Sequence, residues 1–297
     1  MSLLKPSLYI RWPVRLALLS LSALCLTLVE QTPTHGLQSL AVQLATDNPE
    51  EDRVSVAVRH DVLPYVTEDG TGGLEIELVK TIFGETSYSP KFIQLHRVRM
   101  IRLFESKAVD GLLTSNVTLD GEGCITNWYI QHQNVGVTVA ARKIRINQLA
   151  DIANLSIITF DGANRFLGPK FAAETKNSSR YIESSDQNSH ISLLYLGYFD
   201  AAIGDEWILK LAQVNKKRKS GDFQPLAIHR ILPTTLYAAR FHKQAVCDAF
   251  NNGLATIRAN GSYDAIINNY FGRITAQIEE YAKEVASAPL PDSPSNQ

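Results

Sequence analysis

The sequence predicts an α/β protein built as two similar halves, and three observations support that reading. From Arg53 onwards, strand-like and helix-like periods alternate in a β-α-β-α-β order, which argues for a mostly parallel sheet with helices on both faces. A second run of the same order begins at Leu155. The stretch FNNGLATIRANGSYDAIINNYFG, residues 250–272, then adds two helices that belong to neither run.

The elements follow in order. Residues 54–58 (VSVAV) alternate as a strand, 63–70 form a loop, and 74–83 (LEIELVKTIF) form an amphipathic helix. Residues 92–95 are the next strand. Met100, Ile101, Leu103 and Phe104 mark a second helix, and 109–113 a third strand after a turn at Lys107-Ala108. An apolar strand at 135–141 (VGVTVAA) and a helix at 146–152 lead into the second half. There, strands at 155–160, 180–182 and 201–203 alternate with helices at 166–174 and 191–196. A strand at 236–240 leads to the closing helices. Phe250, Leu254 and Ile257 share one helical face, and Asn260-Gly261 breaks that helix. Tyr263, Ile266, Ile267, Tyr270 and Phe271 point inward from a second helix expected to stop at Gly272. Ligands in open α/β sheets sit outside the carboxyl ends of the strands, and pockets favour domain interfaces. A cleft between the halves is therefore the expected site.

The ends differ from the middle. Lys5, Arg11 and Arg15 precede an apolar run at 16–29, the layout of a secretory signal peptide. The run is short for a membrane span of about 20 residues. Residues 1–36 are read as this leader, cleaved between 30 and 45, with 37–49 a linker; an uncleaved membrane anchor is the alternative. Residues 274–297, ending in APLPDSPSNQ, are read as a disordered tail. Export sets an oxidising compartment, in which Cys124 and Cys247 either form a disulfide or remain two buried thiols. The net charge of −1 gives no basic excess for nucleic acid, and Lys216-Lys217-Arg218-Lys219 reads as a solvated loop. The seven histidines make no metal-binding spacing, and neither GxSxG nor a phosphate-binding Walker loop occurs. No cofactor is expected.

Four segments resemble one family in the order that family has them. The closing stretch resembles "F..AL..LRADGTYDAI...YFG", and LPYVTEDGTGGLEIELVKTIF resembles the family's opening. AVDGLLTSNVTLDGE is similar to its "DaiisglsiT..R" strand and loop, and YFDAAIGDEWIL to its "DavigD" strand. The family is the bacterial extracellular solute-binding proteins, family 3, which bind amino acids and similar polar solutes. The resemblance implies a two-lobed, type II periplasmic-binding fold, each lobe a mostly parallel sheet flanked by helices. Lobe 1 would be 50–138 plus 239–273 and lobe 2 would be 139–238, hinged by two crossing strands. It implies a monomeric periplasmic protein that closes on a small polar solute and delivers it to an ABC-type membrane permease, with no covalent chemistry. Two alternatives stay open. One is a secreted enzyme of the same fold, like the cyclohexadienyl dehydratases; the other is a sensory or interaction module with a degenerate pocket.

The resemblance also implies site residues. Asp205 stands where the family's aspartate meets the ligand ammonium; its plainer reading is a helix N-cap. The arginine that grips the ligand carboxylate corresponds to Glu122, a reversal of charge. An ionised Glu122 about 4 Å from a carboxylate would cost on the order of 4 kcal/mol at an effective dielectric of 20. Arg97 and Arg165 are the candidate replacements, the latter in a turn whose N–H groups suit an anion; Arg97 could instead pair with Glu122. Asn164 retains a hydrogen-bonding side chain there, whereas Ala163 does not. Thr114 and Ser115 end a strand at the ligand position, Tyr65 and Trp128 are candidate cleft walls, and His132 is added by the altered segment WYIQHQ.

Overall fold

The computed structural model describes residues 52–60, 62–116 and 121–287. The expected leader, the expected linker and residues 288–297 lie outside them. In the first half, β1 (Arg53–Arg59), α1 (Leu74–Gly84), β2 (Ser89–Leu95), α2 (Arg97–Glu105) and β3 (Gly111–Asn116) follow in order. β1 is central and parallel to both β2 and β3. Its alternation separates two packed layers: Val54, Val56 and Val58 face the core beneath α1, while Ala57 faces Met100 and Phe104 of α2.

A short β4 (Cys124–Ile125) precedes the long β5 (Ile130–Val139), which leaves the first half. The second half contains β6 (Ser156–Phe160), α3 (Ala163–Phe166), α4 (Pro169–Thr175), β7 (Arg180–Ser184), α5 (Asn188–Tyr195), β8 (Ala201–Asp205), α6 (Glu206–Ser220) and β9 (Leu226–His229). The strand β10 (Thr234–Phe241) returns to the first half, and α7 (Gln244–Ala259) and α8 (Ser262–Ser287) finish the chain. β6 runs parallel to β7 and β8, and β8 runs antiparallel to β5.

Two strands serve both lobes. Residues 130–133 of β5 pair with residues 234–237 of β10, whereas residues 134–139 of β5 pair with β8 and β9. β10 continues on the other side against β3 and β4. The result is a continuous strand order β2-β1-β3-β10-β5-β8-β6-β7, with a large core in lobe 1 under α1, α7 and α8, a smaller one under α2, and cores on both faces of the lobe 2 sheet. Gly253 lets α7 approach α1 closely, because a Cβ there would lie 2.2 Å from the Ile82 carbonyl oxygen.

Four expectations need correction. The helix expected at 146–152 is a 3-10 turn at Leu149–Ile152. The helix expected at 166–174 is split into α3 and α4, because Gly168 takes φ 90° and Pro169 restarts the helix. Lys217, Arg218 and Lys219 form the last turn of α6, where cations face the helix carbonyl end, and are not a loop. The helix does not stop at Gly272. α8 continues to Ser287, so residues 274–287 are helical and not part of a disordered tail. Ile274, Ile278, Tyr281 and Val285 keep the apolar period running through strong helix formers, and a single helical glycine costs only ~1 kcal/mol.

A disulfide joins Cys124 of β4 to Cys247 of α7 across a sequence separation of 123 residues. Closing a loop of that length in the unfolded chain is worth about 5 kcal/mol in the chain-entropy account. Replacing both cysteines by serine is expected to lower the urea midpoint by an amount matching a loss of roughly 2–5 kcal/mol. An unchanged midpoint would show that the bond does not stabilise the fold.

Candidate functional site

The carboxyl ends of β1, β3 and β8 face one another between the lobes, and Asp205 lies at the last of these. Asp205 caps α6: its Oδ1 accepts the N–H groups of Trp207 at 3.0 Å and Ile208 at 3.2 Å. The same oxygen accepts the Tyr65 hydroxyl at 2.9 Å, a bond from lobe 1 to lobe 2. Asp205 is thus both a cap and a cleft residue. Its Oδ2 is buried with no hydrogen-bond partner among the described residues; the His132 Nδ1 is 3.9 Å away. Burial drives the Asp205 pKa up to about 6, against the hydrogen bonds from Tyr65, Ile208 and Trp207.

His132 is buried between two tyrosines, stacked on Tyr65 at 4.2 Å and edge-on to Tyr237 at 4.9 Å. Burial, with Arg59 and Arg97 nearby, pushes its pKa well below the ordinary imidazole value, so it is neutral. Arg59, the last residue of β1, is the residue that the sequence reading missed. Burial and the charge of Arg97 lower its pKa, while Glu75, Tyr237 and Asp205 act in the opposite direction. These groups therefore share one electrostatic neighbourhood. Arg97 begins α2 and places its guanidinium 4.4 Å from the Phe166 ring of lobe 2; Arg165 lies over the same ring at 5.6 Å. Among the described residues, neither the Arg59 nor the Arg97 side chain makes a hydrogen bond or ion pair.

Thr114 and Ser115 are held from behind. Thr114 has φ +52°, unusual for a β-branched residue, and its hydroxyl donates to the buried Glu75 at 2.7 Å. Tyr129 donates to the same carboxylate oxygen and receives the Thr114 N–H at 3.1 Å. Burial raises the Glu75 pKa, opposed by these two hydrogen bonds and by Arg59 and Arg97. The Ser115 hydroxyl accepts the Arg240 Nε–H at 2.9 Å.

Three expected residues are placed elsewhere. Glu122 pairs with Lys107 at 3.2 Å with half of its side chain exposed, and does not pair with Arg97. The cause is topological: Cys124 lies beside Phe241, which lies beside Gly111, so the chain has returned to the starting end of β3 by residue 124. Trp128 packs under the Arg258 guanidinium of α7 at 4.2 Å. The Asn164 side chain accepts the Thr175 hydroxyl at 2.9 Å. The anion-binding turn itself is occupied, since Gly162 N–H and Asn164 N–H donate to Glu183 at 2.8 and 3.0 Å. Burial acts against the Glu183 charge, but hydrogen bonds from Tyr181, Asn164 and Gly162 prevail and lower its pKa. Glu183 and Glu75 carry no sequence signal of their own. Arg59 does: it ends the first strand, where ligands of α/β sheets are met.

The sequence matches the bacterial extracellular solute-binding proteins, family 3, over residues 54–273. The chain belongs to this family. No curated protein sequence matches it. Solved structures similar to this family member share the type II periplasmic-binding fold. One is an amino acid ABC transporter substrate-binding protein, AbpA, from Streptococcus pneumoniae, bound to L-arginine. It is 18% identical, with a TM-score of 0.59, covering 77% of this chain and 98% of the other. Another is a histidine kinase sensor domain with similarity to periplasmic binding proteins, 17% identical, with a TM-score of 0.60, covering 74% and 96%. A third is an ancestral amino acid-binding protein, a precursor of cyclohexadienyl dehydratase, 13% identical, with a TM-score of 0.58, covering 75% and 97%. At these identities the likeness concerns the fold. Among the described residues of this solute-binding family member, no helix is long and apolar enough to cross a membrane.

The position of Asp205 makes stability depend on pH. Its folded pKa of about 6 lies above the ordinary 3.8, so the folded state holds this proton more tightly than the unfolded state. The penalty is absent below pH ~4 and complete above pH ~6, amounting to ~3 kcal/mol at most. His132 contributes with the opposite sign, since its depressed pKa costs stability as pH falls below its ordinary value. Asp205→Asn keeps a capping side chain and removes only the first effect. Urea unfolding at pH 4.5, 5.5 and 7 is expected to show the variant gaining on the parent as pH rises; a constant difference would refute the assignment.

Proposed function

We propose that this protein binds a small polar solute carrying both a cationic and an anionic group between its lobes. The observation that supports this best is the pairing of unused charge in one cleft. The unpartnered Oδ2 of Asp205 suits a cationic group, and the guanidiniums of Arg59 and Arg97 suit a carboxylate or similar anion. An amino acid or related solute has both. Family membership supports the wider reading: export to the periplasm, capture by closure about β5 and β10, and delivery to an ABC-type permease. The lobes would be residues 52–133 with 237–287, and 134–236. The two crossing points lie a few residues earlier than 138 and 239, because β5 changes partner after Gln133 and β10 pairs with β3 from Tyr237.

One set of contacts favours a second reading, a sensory or interaction module. The chain's own groups already fill ligand positions: Tyr65 bonds Asp205 across the cleft, and Glu183 takes the lobe 2 N–H groups. Calorimetric titration against amino acids, polyamines, small organic acids and sugars separates the two, with product analysis to detect turnover. Saturable binding supports the first reading, and silence across the panel the second.

Two variants test the residue assignments with whichever solute binds. Arg97→Ala is expected to weaken binding roughly ten- to a hundredfold, the loss of a charged hydrogen-bonding group worth ~1.5–3 kcal/mol. Glu122→Arg is expected to leave affinity unchanged, because its side chain lies at the Lys107 end of α2. A gain of binding in Glu122→Arg would return that residue to the cleft.

A further inference from the structure

α8 belongs to both lobes. Its first half is built into lobe 1, where Ile266 is buried in the main core and Tyr263, Ile267, Tyr270 and Phe271 pack against it. Its second half runs beside α6 of lobe 2 in parallel register. Phe271 stacks on Trp207 with centroids 4.0 Å apart and ring planes 3° apart. Ten residues further along both helices, Lys217 lies over the Tyr281 ring at 5.6 Å. Tyr281 also meets Phe223 edge-on at 5.7 Å, and Glu284 pairs with Lys217 at 2.9 Å. Ile274, between these anchors, is 5% exposed. The contacts begin beside the cleft, where Phe271 also meets Tyr65 edge-on at 6.3 Å, and extend nearly the whole length of α6, three turns beyond Asp205.

These contacts differ in kind from a hinge. β5 and β10 let the lobes rotate about a few backbone pairs. A helix rooted in one lobe and packed lengthwise on the other resists that rotation. Opening the cleft by moving lobe 2 as a body would separate α6 from α8 or pull the second half of α8 away from lobe 1.

We propose that residues 274–287 of α8 form a strap that holds lobe 2 against lobe 1 through the chain's own packing, so that the cleft opens only when the strap leaves α6. The strap acts whether or not the cleft takes the solute proposed above. Its undocking is the step that a partner would have to drive before a solute could enter.

Glu280→Pro tests this on the full chain with no solute added. Proline at that position removes a helical N–H and clashes with the preceding turn, melting the second half of α8 while leaving residues 262–272 untouched. The expected result has three parts: a loss of far-UV helical signal, a larger radius of gyration by small-angle X-ray scattering, and a longer emission wavelength as Trp207 loses its stack on Phe271. Loss of helical signal with unchanged radius and emission overturns the strap. Should Glu280→Pro unfold the whole chain, Tyr281→Ala decides. It removes only a half-buried ring outside the lobe 1 core, and must shift radius and emission in the same directions if the strap exists.

Discussion

The lobes share only one patch of backbone pairing among the described residues, residues 130–133 of β5 against 234–237 of β10. Much else in the molecule follows from that constraint. Each of these strands must leave one sheet and enter the other, so the carboxyl ends of β1, β3 and β8 are turned toward a common space. A strand cannot change sheets without a change of partner, and the change comes between Gln133 and Asn134. Asn134 pairs with Asp205, so the crossing point and the buried carboxylate are neighbours in the sheet. His132, two residues earlier on the same strand, reaches the same space. The hinge and the candidate site are therefore made of the same residues, and a solute that bridged the lobes would act directly on the strand pairs that let them move.

The electrostatics of that space are set by burial more than by attraction. Asp205 and Glu75 are nearly inaccessible, and both lose more from desolvation than they recover from their hydrogen bonds. Arg59 is destabilised as a cation by the same effect. Charges held this way are costly unless something completes their partnerships. A zwitterionic solute would do so for both signs at once. A cation arriving at Asp205 would also lower its pKa toward the ordinary carboxylate value, linking capture to release of a proton below pH ~6.

Much of this was legible in the sequence where local pattern and tertiary role agree. VSVAV alternates because its valines and alanine face different layers, and the FNNGLATIR helix shows the face it buries. Asp205 was legible because capping a helix at a strand end needs that residue type whatever the ligand. Legibility failed where a residue's position depends on chain outside its own segment. Counting along the loop places Glu122 outward from β3, but pairing of β4 with β10 carries it back to the opposite end. Asn164 stands in the expected turn, yet Glu183, 19 residues away on the neighbouring strand, takes the N–H groups that define such a turn. Gly272 suggests a stop because glycine often ends helices. The apolar period on both sides of it, which the fold uses to cover α6, carried the stronger signal.

The strap changes what a bound solute would have to accomplish. Trp207 on Phe271 and Phe223 on Tyr281 each bury apolar surface worth ~1–2 kcal/mol, before counting the pair of Lys217 with Glu284 and the bond from Tyr65 to Asp205. If opening sacrifices two or three of these contacts, the open state lies ~3–5 kcal/mol above the closed one and is populated at about 1% or less. A solute that must enter through the open state and is then held by both lobes associates more slowly by that fraction, roughly a hundredfold or more, while its equilibrium affinity, set by the closed state that it bridges, is not reduced. Ordinary capture by closure favours a cleft that stays open until filled. A helix that biases the lobes toward contact instead favours a protein whose opening is controlled from outside the cleft. The exposed end of that control is the last turn of α8, where Glu284 meets Lys217 and where a partner could compete for the contact without touching the solute site.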